Sequence, residues 1–219
     1  MQKGILVVVS GFSGSGKGTI MKRLMSEYGT DYALSVSATT RAPREGEVHG
    51  VDYFYVSVEE FEAMIEKGDL IEYAKYVSNY YGTPKAYVNE QLEAGKNVIL
   101  EIEIQGALKI KEKFKDTVLM FVSAPSAGEI KNRLVGRNTE TQDVIDARMK
   151  RAYEESLGVE EYDYLVINDE LETCVACVNN IIQNERNQKA EENAAHRVSA
   201  NIDFINNIRE ELLSYSKGV

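Results

Sequence analysis

The sequence predicts an α/β fold, a parallel sheet with helices on both faces and one inserted lobe, and three observations carry that expectation. Short β-branched or apolar runs recur along the chain with helical segments between them, which is the arrangement that parallel strands and their crossover helices require. The first run, Ile5 to Ser10, lies between Gly4 and Gly11 and passes through a glycine-rich stretch into TIMKRLMSEYG, so strand, loop and helix follow in order. Residues 35–90 then break the alternation with tyrosine-rich segments that read as half-exposed strands.

Taken in order, the inserted stretch contains VDYFYVS and LIEYAKY as antiparallel strands around one short helix, EEFEAMIEKG. Its turn signals are Pro43, Gly46, Gly50, Gly68 and Gly82. The sheet resumes at NVILEIE (97–103), TVLMFVSA (117–124) and DYLVIN (163–168). Residues 170–215 read as one or two polar helices with Ile181, Ile202, Ile205 and Ile208 at helical spacing. Cys174 and Cys177 fall in TCVACVNNII, where they read as small apolar positions of a helix rather than as a redox or metal half-site, because no second pair exists.

Composition bounds the partners. The 219 residues, 43% hydrophobic and 27% charged, suit one globular core. A formal net charge of −10 argues against a nucleic-acid or anionic-membrane surface, so an anionic substrate needs a local basic pocket. The apolar run at the amino terminus stops after Val9, too short for a signal sequence, and no segment approaches a membrane span. Two cysteines make no disulfide framework, which places the expected compartment in a reducing cytoplasm.

Gly11-Phe12-Ser13-Gly14-Ser15-Gly16-Lys17 matches G-x-x-x-x-G-K between a strand and a helix. Glycines let main-chain N–H groups turn inward around a phosphate, the helix amino terminus adds partial positive charge, and Lys17 supplies a point charge for a transferring phosphate. The position after the lysine is Gly18 rather than the usual Ser or Thr, and the hydroxyl falls on Thr19. Magnesium is therefore expected to be held through nucleotide phosphates and waters, with Thr19 the one candidate side-chain ligand. Farther on, Arg41 and Arg44 flank Pro43 in a hydroxyl-rich loop, where two planar guanidinium forks suit a second phosphate.

From the phosphate loop through SVSATTRAPREGEVHGVDYFYVS, the chain resembles the guanylate kinase family, P-loop kinases of nucleoside monophosphates, over about Ile5 to Leu171. The resemblance implies a P-loop NTPase-type parallel sheet with an inserted mixed α/β GMP-binding lobe at 35–90, a core of 1–34 and 91–219, and a helical lid at about 126–157. It implies ATP as phosphoryl donor with Mg2+, GMP (and dGMP) as acceptor, a place in purine nucleotide metabolism, and a monomer or homodimer. ATP would lie on residues 11–19, with Asn168 of VINDEL near the adenine. Arg41, Arg44, Tyr53 and Tyr81 are assigned to the GMP phosphate, and Ser37, Glu72 and Thr83 to the base. One carboxylate at Glu72 matches the parallel N1–H and N2 amine donors of guanine, whereas adenine presents an acceptor at N1.

NVILEIEIQG is similar to a family strand that ends in two aspartates, with Glu101 and Glu103 in their places. Strand alternation puts both on one face, where acids order magnesium-bound water or contact the guanine amine. Arg133, Arg137 and Arg148 resemble the lid arginines, which with Lys17 and Arg41 neutralise the charge of the transferring group. Two rival readings are a non-enzymatic guanylate kinase-like module that binds a phosphorylated peptide, and a kinase of another small phosphate ester such as a sugar phosphate. The intact loop opposes the first. Glu72 with Ser37 and Thr83 opposes the second.

Overall fold

The computed structural model describes residues 2–76, 78–136 and 141–216. Its strands are β1 (Leu6–Gly11), β2 (Tyr32–Leu34), β3 (Ala38–Thr39), β4 (Phe54–Tyr55), β5 (Leu70–Tyr76), β6 (Asn79–Pro84), β7 (Asn97–Glu101), β8 (Val118–Ser123) and β9 (Tyr164–Ile167). The helices are α1 (Lys17–Tyr28), α2 (Val58–Lys67), α3 (Lys85–Glu93), α4 (Ile104–Lys113), α5 (Ala127–Gly136), α6 (Gln142–Ser156), α7 (Leu171–Arg186) and α8 (Ile202–Ser216).

Five strands form a parallel sheet in the order β2-β7-β1-β8-β9. Strand alternation divides its side chains between two cores. Val7, Val9, Ile99, Met120 and Val122 pack with Ile20, Met21 and Leu24 of α1 and Cys174, Val175 and Val178 of α7. Val8, Leu100, Leu119 and Phe121 pack on the other side with residues of α4, α5, α6 and α8. Near-continuous apolar runs are what such doubly covered strands need. The short strand β2 at one edge is absent from the sequence reading, because three residues are too few to show a period.

The second sheet, β4-β3-β6-β5, is mixed rather than antiparallel throughout. β6 runs antiparallel to β3 and β5, but β3 and β4 are parallel. The chain between them, residues 40–53, swings round to re-enter beside β3 in the same direction. The sheet encloses a small core of Ala38, Phe61 and Leu70. Helix α2 is fixed at its start by a capping box, with Ser57 Oγ accepting from Glu60 N–H and the Glu60 carboxylate accepting from Ser57 N–H.

β7 ends at Glu101, and Glu103 stands outside it at the N-cap position of α4. The expected strand alternation between the two carboxylates is therefore replaced by a strand-to-helix turn. Among the described residues no helix is long and apolar enough to cross a membrane.

Candidate active site

β1 delivers the chain into a loop at the carboxyl edge of the parallel sheet, where open α/β sheets bind ligands. Gly16 sits at φ 90° as the N-cap of α1, and a side chain there would place its Cβ 2.4 Å from Asn168 Nδ2. Only glycine meets both demands. Phe12 is buried and meets Phe121 edge to face at 4.8 Å, anchoring the loop in the core. Ser15 Oγ is buried with no partner among the described residues.

Two side chains hold the loop from behind. Asn168, just after β9, donates through Nδ2 to Ser15 O at 2.8 Å, so the structure places it beneath the loop as a brace. Arg133 of α5 donates to Asn168 O at 3.0 Å and to Ser15 O at 3.5 Å, with Glu129 holding its Nε at 2.7 Å. Arg148 of α6 reaches Ser13 Oγ at 2.6 Å. Lys17 donates to Gly11 O at 2.5 Å and Phe12 O at 3.1 Å. Arg137 lies outside the described residues.

In front of the loop is a cavity of about 700 Å³ that gathers Gly11, Ser13, Lys17, Glu101, Glu103 and Arg148. Gly18 and Thr19 are exposed in the first turn of α1. The cavity also exposes residues that the sequence reading missed, Asp143, Arg151 and Glu155. Arg151 pairs with Glu103 at 2.7 Å and with Glu155 at 3.1 Å. Burial pushes the Glu155 carboxyl above the usual carboxylate range, against the pull of Arg151. A signal for two of them was present, since 151 and 155 follow Arg148 at successive spacings of three and four on one helical face.

The remaining predicted residues gather on the second sheet and do not line that cavity. Thr83 Oγ1 donates to Glu72 Oε1 at 2.8 Å. Burial raises the Glu72 carboxyl above its ordinary value, opposed by Thr83, Lys109 and Lys113. Ser37 is half-buried before β3, and its carbonyl accepts from Phe54 N–H at 2.8 Å. Arg41 lies 5.4 Å from the Tyr53 ring centroid, and Tyr53 in turn meets Tyr81 edge to face at 6.1 Å. Arg44 is exposed beside this group.

Glu47, unforeseen in the sequence, organises that group. Both its oxygens accept from Arg41 at 2.9 Å, and one accepts from Arg44 N–H at 2.7 Å and from Tyr55 OH at 2.8 Å. The Arg41 hydrogen bonds lead in holding its carboxyl down to about 2, and they raise the guanidinium correspondingly.

A parallel sheet whose first strand runs into a glycine cradle, a lysine and a helix amino terminus defines a P-loop protein that binds nucleotide phosphates. Comparison with known proteins narrows the class. The guanylate kinase family model matches residues 3–185. The chain is 53% identical to the guanylate kinase of Halalkalibacterium halodurans over 184 residues, 84% of this chain and 90% of that one. It is also 53% identical to the guanylate kinase of Clostridioides difficile over 188 residues, covering 86% and 91%. A crystal structure of guanylate kinase from Anaplasma phagocytophilum superposes with a TM-score of 0.66 at 31% identity, covering 85% of this chain and 88% of that one. The chain belongs to the guanylate kinase family.

Proposed function

We infer that the protein is an ATP:GMP phosphotransferase: an oxygen of the GMP phosphate attacks the γ-phosphorus of ATP in line, the bond to the β-phosphate oxygen breaks, and GDP and ADP form. The observation that carries this reading is the lysine-bearing glycine loop facing a cavity lined by arginine and carboxylate, in a chain of this family. Transfer of this kind leaves little covalent chemistry to the protein, so positioning and charge neutralisation dominate.

The main-chain cradle of residues 11–19 holds the donor phosphates, with Asn168 and Arg133 fixing its rear. Lys17 neutralises the charge gathering on the transferring group, assisted by Arg148, Arg133 and Arg137 from a lid at about 126–157. Residues 35–90 form the acceptor lobe. There Arg41, Arg44, Tyr53 and Tyr81 take the GMP phosphate, and Ser37, Glu72 and Thr83 read the base. Glu101 and Glu103, which line the cavity in front of the donor loop, would order magnesium-bound water or contact the guanine amine.

Among the described residues no group of three or more His, Cys, Asp or Glu side chains could hold a metal ion. Glu101 beside the loop and Thr19 on α1 are oxygen donors, a set that suits magnesium arriving with ATP phosphates and retaining waters. Such an ion, when bound, would offset the charge of the donor phosphates, with Glu101 and Thr19 as the residues that would order its waters. The cytoplasm, where both nucleotides are available, is the proposed compartment.

The test is ADP formation with ATP and magnesium, offering GMP, AMP, UMP and ribose phosphates in turn, with Glu72→Gln run alongside. Turnover that depends on GMP and weakens in the variant supports both reaction and base reader. Equal turnover with ribose phosphate would overturn the acceptor assignment, and no turnover with any acceptor would favour a phosphopeptide-binding module.

A further inference from the structure

The family model matches as far as residue 185, and the described chain continues to residue 216. The continuation is tied down along its whole length. Asn193 is buried, donating to Ile181 O at 3.1 Å and accepting from Asn184 at 2.9 Å. Val198 N–H donates to Asp163 O, and the Arg197 guanidinium covers the Tyr164 ring at 4.4 Å. The segment thereby crosses the end of the sheet beside β9 and delivers α8 against α5 and α6.

α8 buries Ile205, Ile208 and Leu212 in the same core as Ala127, Ile130 and Leu134 of α5 and Ile145, Met149 and Ala152 of α6. Its polar contacts fall at the two ends of the arginine-bearing segment. Glu211 Oε2 accepts from the N–H of Ala127, the first residue of α5, at 2.8 Å. Arg209 donates to the carbonyl of Ser156, the last residue of α6, at 3.0 Å, and to Glu160 at 2.7 Å.

These are orphan main-chain groups that a helix cannot satisfy itself, and the charges have the right signs, an anion at an amino terminus and a cation at a carboxyl terminus. The Arg209–Glu160 ion pair is partly exposed and adds little. The weight lies in the two helix-end contacts. Between those ends, Arg133 and Arg148 already rest on Ser15 and Ser13 of the phosphate loop.

We propose that α8 is a strap across both ends of the lid, with Arg209 and Glu211 as positioning residues that hold the lid arginines over the donor-phosphate loop before nucleotide arrives. The proposal rests on the donor-side role of Arg133 and Arg148 given above. A protein whose binding-competent lid is the populated state binds donor without loss of affinity to reorganisation, and loosening the strap lowers that populated fraction. The effect belongs to ATP and not to GMP, because the acceptor residues lie on the second sheet, away from α8.

The experiment compares the full-length protein with the double variant Arg209→Ala/Glu211→Ala, which leaves the apolar face of α8 intact, and with Glu211→Gln, which keeps an acceptor for Ala127 N–H. Three readouts are the affinity for a non-hydrolysable ATP analogue, KM for ATP against KM for GMP, and amide hydrogen exchange. In the double variant the proposal expects the analogue Kd and the KM for ATP to rise about five- to tenfold, with KM for GMP unchanged. Exchange should accelerate in 127–136 and 142–156 but not in β1 or β8, and Glu211→Gln, which keeps the acceptor but loses the charge, should fall between wild type and the double variant. An unchanged analogue affinity, or both KM values rising together with faster exchange throughout the sheet, would overturn it. Analogue binding and exchange do not require GMP turnover, so failure of the proposed reaction and failure of the strap are separable.

Discussion

Lys17 donates to two carbonyl oxygens of its own loop, and Arg148 and Arg133 touch two of the loop's serines. The cationic groups expected to act on the transferring phosphate thus surround one loop, held by contacts that a phosphate can take over. Removing the lysine leaves the helix and the apolar anchor Phe12 in place. Lys17→Ala is therefore expected to lower turnover by about 10² to 10³-fold with almost no change in the thermal midpoint, and steady-state kinetics beside a melting curve will check both halves. Glu72 supplies a second test. Burial raises its carboxyl, so on acidification it gains a proton at higher pH than an ordinary carboxylate does, and a protonated acid no longer matches the two guanine donors. KM for GMP should climb as pH falls toward that range while KM for ATP holds, and Glu72→Gln should flatten the profile at a uniformly high KM.

At the scale of the element, each segment that presents the site is fastened at an end. The phosphate loop is held by the amide of Asn168, buried and bonded to Ser15 O. Asn168→Ala leaves that carbonyl with the more distant Arg133, and the cost is expected in catalysis as well as stability. A several-fold rise in KM for ATP, with KM for GMP unchanged, is the expected result. Helix α2 is fastened differently, by the capping box of Ser57 and Glu60. Ser57→Ala should cost about 1 kcal/mol, which corresponds to a midpoint shift of about 2–4 °C for a chain of this size. Activity at 25 °C should be unaffected, because the cap touches no site residue.

For the molecule as a whole, the expected site residues lie in two groups, one at the edge of the parallel sheet and one on the mixed sheet. In-line transfer needs reacting atoms within about 3–3.5 Å, and the expected outcome is that the two groups approach each other when both substrates are bound. Small-angle scattering should show a smaller radius of gyration with GMP and a non-hydrolysable ATP analogue together than with either alone, and an unchanged radius would argue for a preformed site. Closure of this kind excludes water and limits hydrolysis of ATP.

What the sequence by itself determined is the part of the protein written in local pattern. Strand, glycine loop and helix in succession disclosed the phosphate site, because the main-chain geometry of that loop depends on glycines and a lysine at fixed spacing. Apolar runs separated by helices disclosed the parallel sheet, since strands covered on both faces require them. The tertiary structure alone decided the rest. Glu103 falls at the start of α4 and pairs with Arg151 because β7 ends two residues before it, and Asn168 becomes a brace because β9 finishes beneath the loop. Glu47 gathers Arg41, Arg44 and Tyr55 through a turn whose shape no periodicity records. The helix-end contacts of Arg209 and Glu211 join residues more than fifty positions apart in the chain. Such long-range pairings depend on how the elements pack, and a one-dimensional pattern carries no record of that.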